Sequence, residues 1–134
     1  MADWVFTTIC IYRRKDISGF KFDENFGQYS YLEDLDFSLN LKKKNKKILI
    51  SSNAKFNHPQ NIDRSSFNFG VIEVINRFKI VCKHKLSKKL FIVGSIIRFL
   101  ISLLKALGLK QKYFFRAMGN IFGFILLFKK KFIK

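Results

Sequence analysis

The spacing of apolar positions changes along the chain, and each spacing predicts a different element. From Trp4 to Tyr12 the residues Val5, Phe6, Thr7, Thr8, Ile9 and Ile11 form a β-branched and aromatic run, the pattern of a strand buried on both faces. Arg13 to Ser18 is polar and closes at Gly19, and Phe20 to Gly27 mixes aromatic and acidic residues in a loop. From Tyr31 the period becomes helical, with Leu32, Leu35 and Leu39 at i, i+3 and i+7. Lys42-Lys43-Lys44-Asn45 then supplies a basic last turn that suits the helix dipole. Ile48-Leu49-Ile50 reads as a short buried strand. Ala54, Phe56 and His58 alternate with Lys55 and Asn57, a second strand or extended edge that stops at Pro59.

Beyond Pro59 the pattern is helical. Val71, Val74, Ile75, Phe78 and Cys82 line one side of a helix whose other side carries Glu73, Arg77 and Lys83 or His84. Leu90–Leu104 is almost wholly apolar, yet Ser95, Arg98, Ser102 and Lys105 recur at i, i+3, i+7 and i+10 as one narrow polar stripe. Tyr113–Phe128 is a third apolar segment, with Arg116 and Asn120 one turn apart and Lys129-Lys130-Lys131 behind it. Such segments reach about 22 and 24 Å as helices, against a hydrocarbon layer of roughly 30 Å. Their length, the stripe bearing Arg98, and the flanking Lys105 and Lys129–Lys131 favour helices lying in the headgroup plane of anionic lipid. Crossing the bilayer and packing into a soluble core are the alternatives.

Charge sharpens the division. The 134 residues carry 26 Lys and Arg against nine Asp and Glu, a formal +17. Residues 1–58 hold seven of the acids and a net +3, whereas residues 59–134 hold two acids and a net +14. The expected organisation is therefore an acid-bearing domain over 1–58 and a basic, membrane-associated helical tail over 59–134. Such a charge favours an anionic partner, whether nucleic acid, anionic lipid or a phosphorylated substrate. Part of it is compositional, because Lys, Ile, Phe and Asn are residues of AT-rich codons. Cys10 and Cys82 stand far apart with no C-x-x-C, which excludes a metal knuckle and a disulfide framework and makes a reduced cytosolic compartment the default. The start, Met1-Ala2-Asp3-Trp4, is acidic where a secretory signal is basic.

The sharpest chemical signal is Glu33-Asp34-Leu35-Asp36 at a helix start, followed some two dozen residues later by His58. Acids in a first turn have a plain structural explanation in the helix dipole and capping. Three carboxylates within four residues nevertheless repel one another unless a cation or a function compensates. A carboxylate with a raised pKa is a general base, and a carboxylate with His is a divalent-metal ligand set.

Four segments occur in a telling order: Gly19-Phe20-Lys21-Phe22-Asp23-Glu24-Asn25-Phe26, Tyr31-Leu32-Glu33-Asp34-Leu35-Asp36-Phe37-Ser38-Leu39-Asn40-Leu41, Lys46-Lys47-Ile48-Leu49-Ile50, and Ala54-Lys55-Phe56-Asn57-His58. Over roughly residues 3–58 this resembles the C-terminal half of family 2 glycosyltransferases, inverting enzymes of the GT-A fold, and more closely the rhamnosyltransferase-like members of bacterial polysaccharide synthesis. The resemblance implies an α/β fold: a partial, Rossmann-like GT-A half with short strands and an acid-bearing helix, followed by the helical tail. It implies Asp34 as the base that deprotonates the acceptor hydroxyl, with Glu33 orienting the acceptor or sharing the proton. Asp36, Asp23 and Arg13 would support the acceptor side, and His58 would lie near the metal and diphosphate of the donor. Asn40 departs from the family, whose Arg at that position pairs with the acid corresponding to Asp36, so a hydrogen bond must replace an ion pair.

The implied activity is transfer of a sugar, with inversion, from a nucleotide-sugar donor to a saccharide or lipid-linked acceptor, at the cytoplasmic face of the membrane. The complete enzyme would use Mg²⁺ or Mn²⁺. Asp34-Leu35-Asp36 has the letters of the family's D-x-D but sits inside a helix pattern, whereas that motif directly follows a strand. With it and the nucleotide-binding units missing, the chain is expected to be a C-terminal portion or the product of a split reading frame, inactive alone. The competing reading is a non-enzymatic cationic protein that binds a membrane surface or nucleic acid. Nucleic acid is disfavoured by the excess of Lys over Arg and by the lack of a recognised binding signature.

Overall fold

The computed structural model describes residues 4, 10–27, 30–51, 53–57, 64–108 and 110–132, with side chains as far as Lys129. Among the described residues five helices and one 3₁₀ turn follow in order: α1 (Arg14–Ile17), the 3₁₀ turn Glu24–Phe26, α2 (Glu33–Lys43), α3 (Phe67–Lys83), α4 (Lys88–Leu107) and α5 (Lys112–Phe132). Residues 1–60 form one unit and residues 61–134 a second.

The expected α/β architecture is corrected by this arrangement, because among the described residues there is no strand and no sheet. A strand exists only when its backbone N–H and C=O groups meet a neighbouring strand, and its apolar faces then need cover. Ile48 is buried, but Leu49 and Ile50 on the same run stand about three-quarters exposed with no ladder beside them. Phe56 is likewise exposed. Of the first predicted strand, residues 5–9 lie outside the described residues, and Ile11 projects into solvent. The β-branched composition was read correctly as apolar, but pairing is a non-local property.

In the first unit, α2 is the organising element. Chain reversal before it uses left-handed backbone at Ser30 and Leu32, with φ of 46° and 74°. The Leu32 side chain offers no cap, so Glu33, Asp34 and Asp36 in the first turn interact with the positive helix end instead. The C-terminus is a Schellman motif: Lys46 N–H donates to Leu41 O at 3.0 Å and Asn45 N–H to Lys42 O at 2.8 Å. Asn45 takes the left-handed position, φ 56°. Phe37, buried on this helix, is the hub of the local core. Phe22 stacks on it at 4.5 Å between ring centroids, and Tyr12 and Phe20 meet it edge-on at 5.6 and 6.2 Å.

In the second unit, serines cap the helices: Ser66 Oγ accepts from Phe69 N–H before α3, and Ser87 Oγ from Leu90 N–H before α4. Helix α3 packs most extensively against α5, and α4 rests on α5 with a smaller contact to α3. Glycines set the closest approach. A Cβ on Gly119 would be driven into the Phe67 carbonyl, and one on Gly70 into the Arg116 carbonyl. Phe91 of α4 bridges Phe78 and Phe124 at 5.5 and 5.7 Å.

Candidate functional site

The acid helix presents Asp34 half-buried at its head. Asp34 Oδ1 accepts from Leu35 N–H at 2.8 Å, a free donor of the first turn. Ser38 Oγ returns a bond to Asp34 O at 2.8 Å. Burial raises the Asp34 pKa above the ordinary Asp value, although the backbone N–H contacts oppose the shift. Beside it the Tyr12 hydroxyl is buried with no hydrogen-bond partner among the described residues. Burial raises its pKa, and the neighbouring Cys10 thiol and the Asp34 carboxylate add to the shift. Tyr12 was read from sequence as part of a strand, so its place beside Asp34 was not foreseen.

The other sequence-predicted residues disperse into local roles. Asp36 is buried and accepts from Asn40 Nδ2 at 3.3 Å, the neutral contact that Asn40 demands in place of an ion pair. Asp23 caps the 3₁₀ turn, accepting from Asn25 N–H at 3.1 Å and Asn25 Nδ2 at 2.8 Å. Arg13 is exposed at the start of α1, where its carbonyl accepts from Asp16 N–H. Glu33 is partly exposed in the first turn of α2. His58 lies outside the described residues.

Asp23, Asp34 and Asp36 each accept a hydrogen bond from within their own turn or helix. Among the described residues no three His, Cys, Asp or Glu side chains converge. A cavity of about 660 Å³ lies by the other end of α2, lined by Lys15, Lys21, Lys43, Lys44 and Lys46 with Asp16. Lys46 Nζ is 2.9 Å from Asp16 Oδ1, and that contact holds the Asp16 pKa below its ordinary value.

The second cluster was missed. Glu73, assigned by periodicity to the outer side of its helix, is 2% exposed and is gripped from three helices. Arg116 Nη2 and Nε reach its Oε2 at 2.8 and 3.2 Å, and Asn120 Nδ2 lies 3.5 Å from the same oxygen. Arg98 and Arg77 approach Oε1 at 3.5 and 3.7 Å. Arg116 also donates to Arg64 O and lies over the Phe69 ring. The available signal was its rarity: Glu73 is one of two acids among sixteen basic residues after Pro59.

Arg98 therefore faces the helical interior. Lys105 Nζ sits 5.1 Å from the centre of the Tyr113 ring, across the turn between α4 and α5. Lys129 is exposed near the end of α5, whereas the side chains of Lys130 and Lys131 lie outside the described residues.

Fold and clusters together define a chain of two helical units, one with a half-buried acid at a helix head, the other with a charged interior. No family model, curated protein or solved structure matches it.

Proposed function

We propose that the chain is the acceptor-side part of an inverting glycosyltransferase, with Asp34 as its general base. The observation that carries this reading is the half-buried Asp34 carboxyl, whose pKa burial raises. A base poised nearer neutrality than a free carboxylate takes a hydroxyl proton more effectively. In the reaction, the acceptor O–H gives its proton to an Asp34 oxygen as its own oxygen bonds to the anomeric carbon of the donor. The anomeric C–O bond breaks on the opposite face, and the nucleoside diphosphate leaves with the electron pair. Glu33, one position earlier on the same turn, orients the acceptor hydroxyl. The reading also rests on the ordered segments between Gly19 and His58.

The donor half must come from another segment or chain. The test combines this chain with a nucleotide-sugar-binding half encoded upstream and follows transfer of labelled sugar to saccharide acceptors. Asp34→Asn should lower kcat by roughly 10²- to 10⁴-fold, the usual worth of a general base, with the acceptor KM little changed. Turnover equal to that of the parent chain removes Asp34 from the role.

A further inference from the structure

Polarity is inverted along α4 and α5. The only buried residues of α4 are Ser95 and Ser102. Ile97 and Leu100 stand about half exposed, and Leu90, Leu104 and Leu107 more so. The exposed apolar positions of α4 cover about half its circumference at 3.6 residues per turn. On α5, Ala117, Gly119, Asn120 and Gly123 are buried while Phe115, Met118, Ile121 and Ile125 are exposed. A helix in water hides its apolar stripe and shows the polar one. Here the stripe of Ser95, Arg98 and Ser102 faces protein.

We propose that residues 61–134 are embedded in the hydrocarbon layer of a lipid bilayer. Acyl chains cover the outer faces of α4 and α5, and the Glu73 cluster forms the polar interior. The basis is confined to this unit and is independent of Asp34. Helix α4 has 20 residues, about 30 Å, and is long and apolar enough to cross, with 17% of its apolar window buried. It is longer than its uninterrupted apolar run because Ser87 caps it ahead of Lys88 and Lys89. Those lysines at one end, and Lys105, Lys110 and Lys112 at and beyond the other, place charge where long side chains reach headgroups.

The polar side chains along the inner stripe of α4 are satisfied by their own helix, as lipid requires. Ser95 Oγ donates to Phe91 O at 2.8 Å, Ser102 Oγ to Arg98 O at 2.9 Å, and Arg98 Nη1 to Gly94 O at 3.1 Å. Charges at membrane depth face the bundle interior and pair, as Glu73 does with Arg116. Helices in lipid gain nothing by hiding apolar side chains from one another, so close glycine contacts hold them together. Gly70, Gly119 and Gly123 provide those contacts. A protein partner would cover one stripe, whereas the exposed surface wraps two helices.

The full chain is mixed with vesicles of phosphatidylcholine and phosphatidylglycerol, washed with high salt and alkaline carbonate, and sedimented. It should remain with the vesicles after both washes. In a second arm, Trp4→Phe with Ile97→Trp puts the only indole on the outer face at the middle of α4. A nitroxide carried mid-way along the acyl chain should quench it about twofold more strongly than one at the headgroup. Extraction by either wash overturns the proposal. So does stronger quenching from the headgroup, the mark of helices lying on the surface, or a chain that stays in the supernatant.

Discussion

Asp34 and Glu73 are both drawn away from water, and their surroundings answer that cost differently. Asp34 is met by backbone N–H groups at a helix head, while Glu73 is met by guanidinium groups from its own helix and two others. Because the folded pKa of Asp34 is raised, the folded chain holds that proton more tightly than the unfolded one. Its contribution to stability therefore falls as pH rises from the ordinary Asp range to the folded pKa, then stays level. Asp34→Asn should raise the thermal midpoint at neutral pH and leave it nearly unchanged at pH below the ordinary Asp range, measured by melting the full chain in detergent across a pH series. An equal rise at every pH would trace the effect to something other than the charge. Glu73→Ala leaves Arg116 and its companions around an empty place and should cost about 3–5 kcal/mol. Glu73→Gln, which keeps an acceptor for Arg116, should cost less in the same denaturation assay.

At the scale of elements, periodicity tells which residues share a face but not where that face looks. Leu32, Leu35 and Leu39 gave α2 its pattern, and the basic residues before Asn45 marked its end, so this helix was readable. Its core contacts were not, because Tyr12, Phe20 and Phe22 reach Phe37 from segments with no helical period. The polar stripe of α4 was equally visible, yet its direction depends on α3, whose Glu73 carboxylate draws Arg98 inward. The strand predicted at Ile48-Leu49-Ile50 failed for a related reason: β-branched runs declare an apolar surface, while a ladder needs a second run in register. Glycine contacts give a direct check on the helical packing. Gly119→Ala forces α3 and α5 apart at the Phe67 carbonyl and should cost about 1–3 kcal/mol. Gly94→Ala meets nothing nearer than an Arg98 nitrogen at 3.8 Å, and should be neutral or gain up to about 1 kcal/mol from helix propensity.

Over the whole molecule, charge and acid distribution are legible at once, since seven of the nine acids precede residue 59. Of the candidate site, Asp34 was legible because a carboxylate at a helix head is a local pattern. Tyr12 was not, because its approach to Asp34 is a tertiary fact. The inverted unit has its own consequence for handling. With Leu100, Leu104 and Leu107 on the outside, the chain in plain buffer should self-associate, and micelles should return it to a dispersed species in gel filtration or ultracentrifugation. A chain equally dispersed with and without detergent would mean that these faces are covered by protein.

The reach from Glu73 to Arg116 also has a meaning in time. The shortest contact of the cluster joins residues 43 positions apart, and at about 5–20 residues per second the ribosome needs roughly 2–9 s to cover that distance. Through that interval the emerging carboxylate has Arg77 one turn ahead and then Arg98, neither closer than 3.5 Å in the finished structure. The latest of these three helices thus supplies the tightest clasp on the earliest, and a transcript broken before codon 116 yields a chain whose buried acid never receives it.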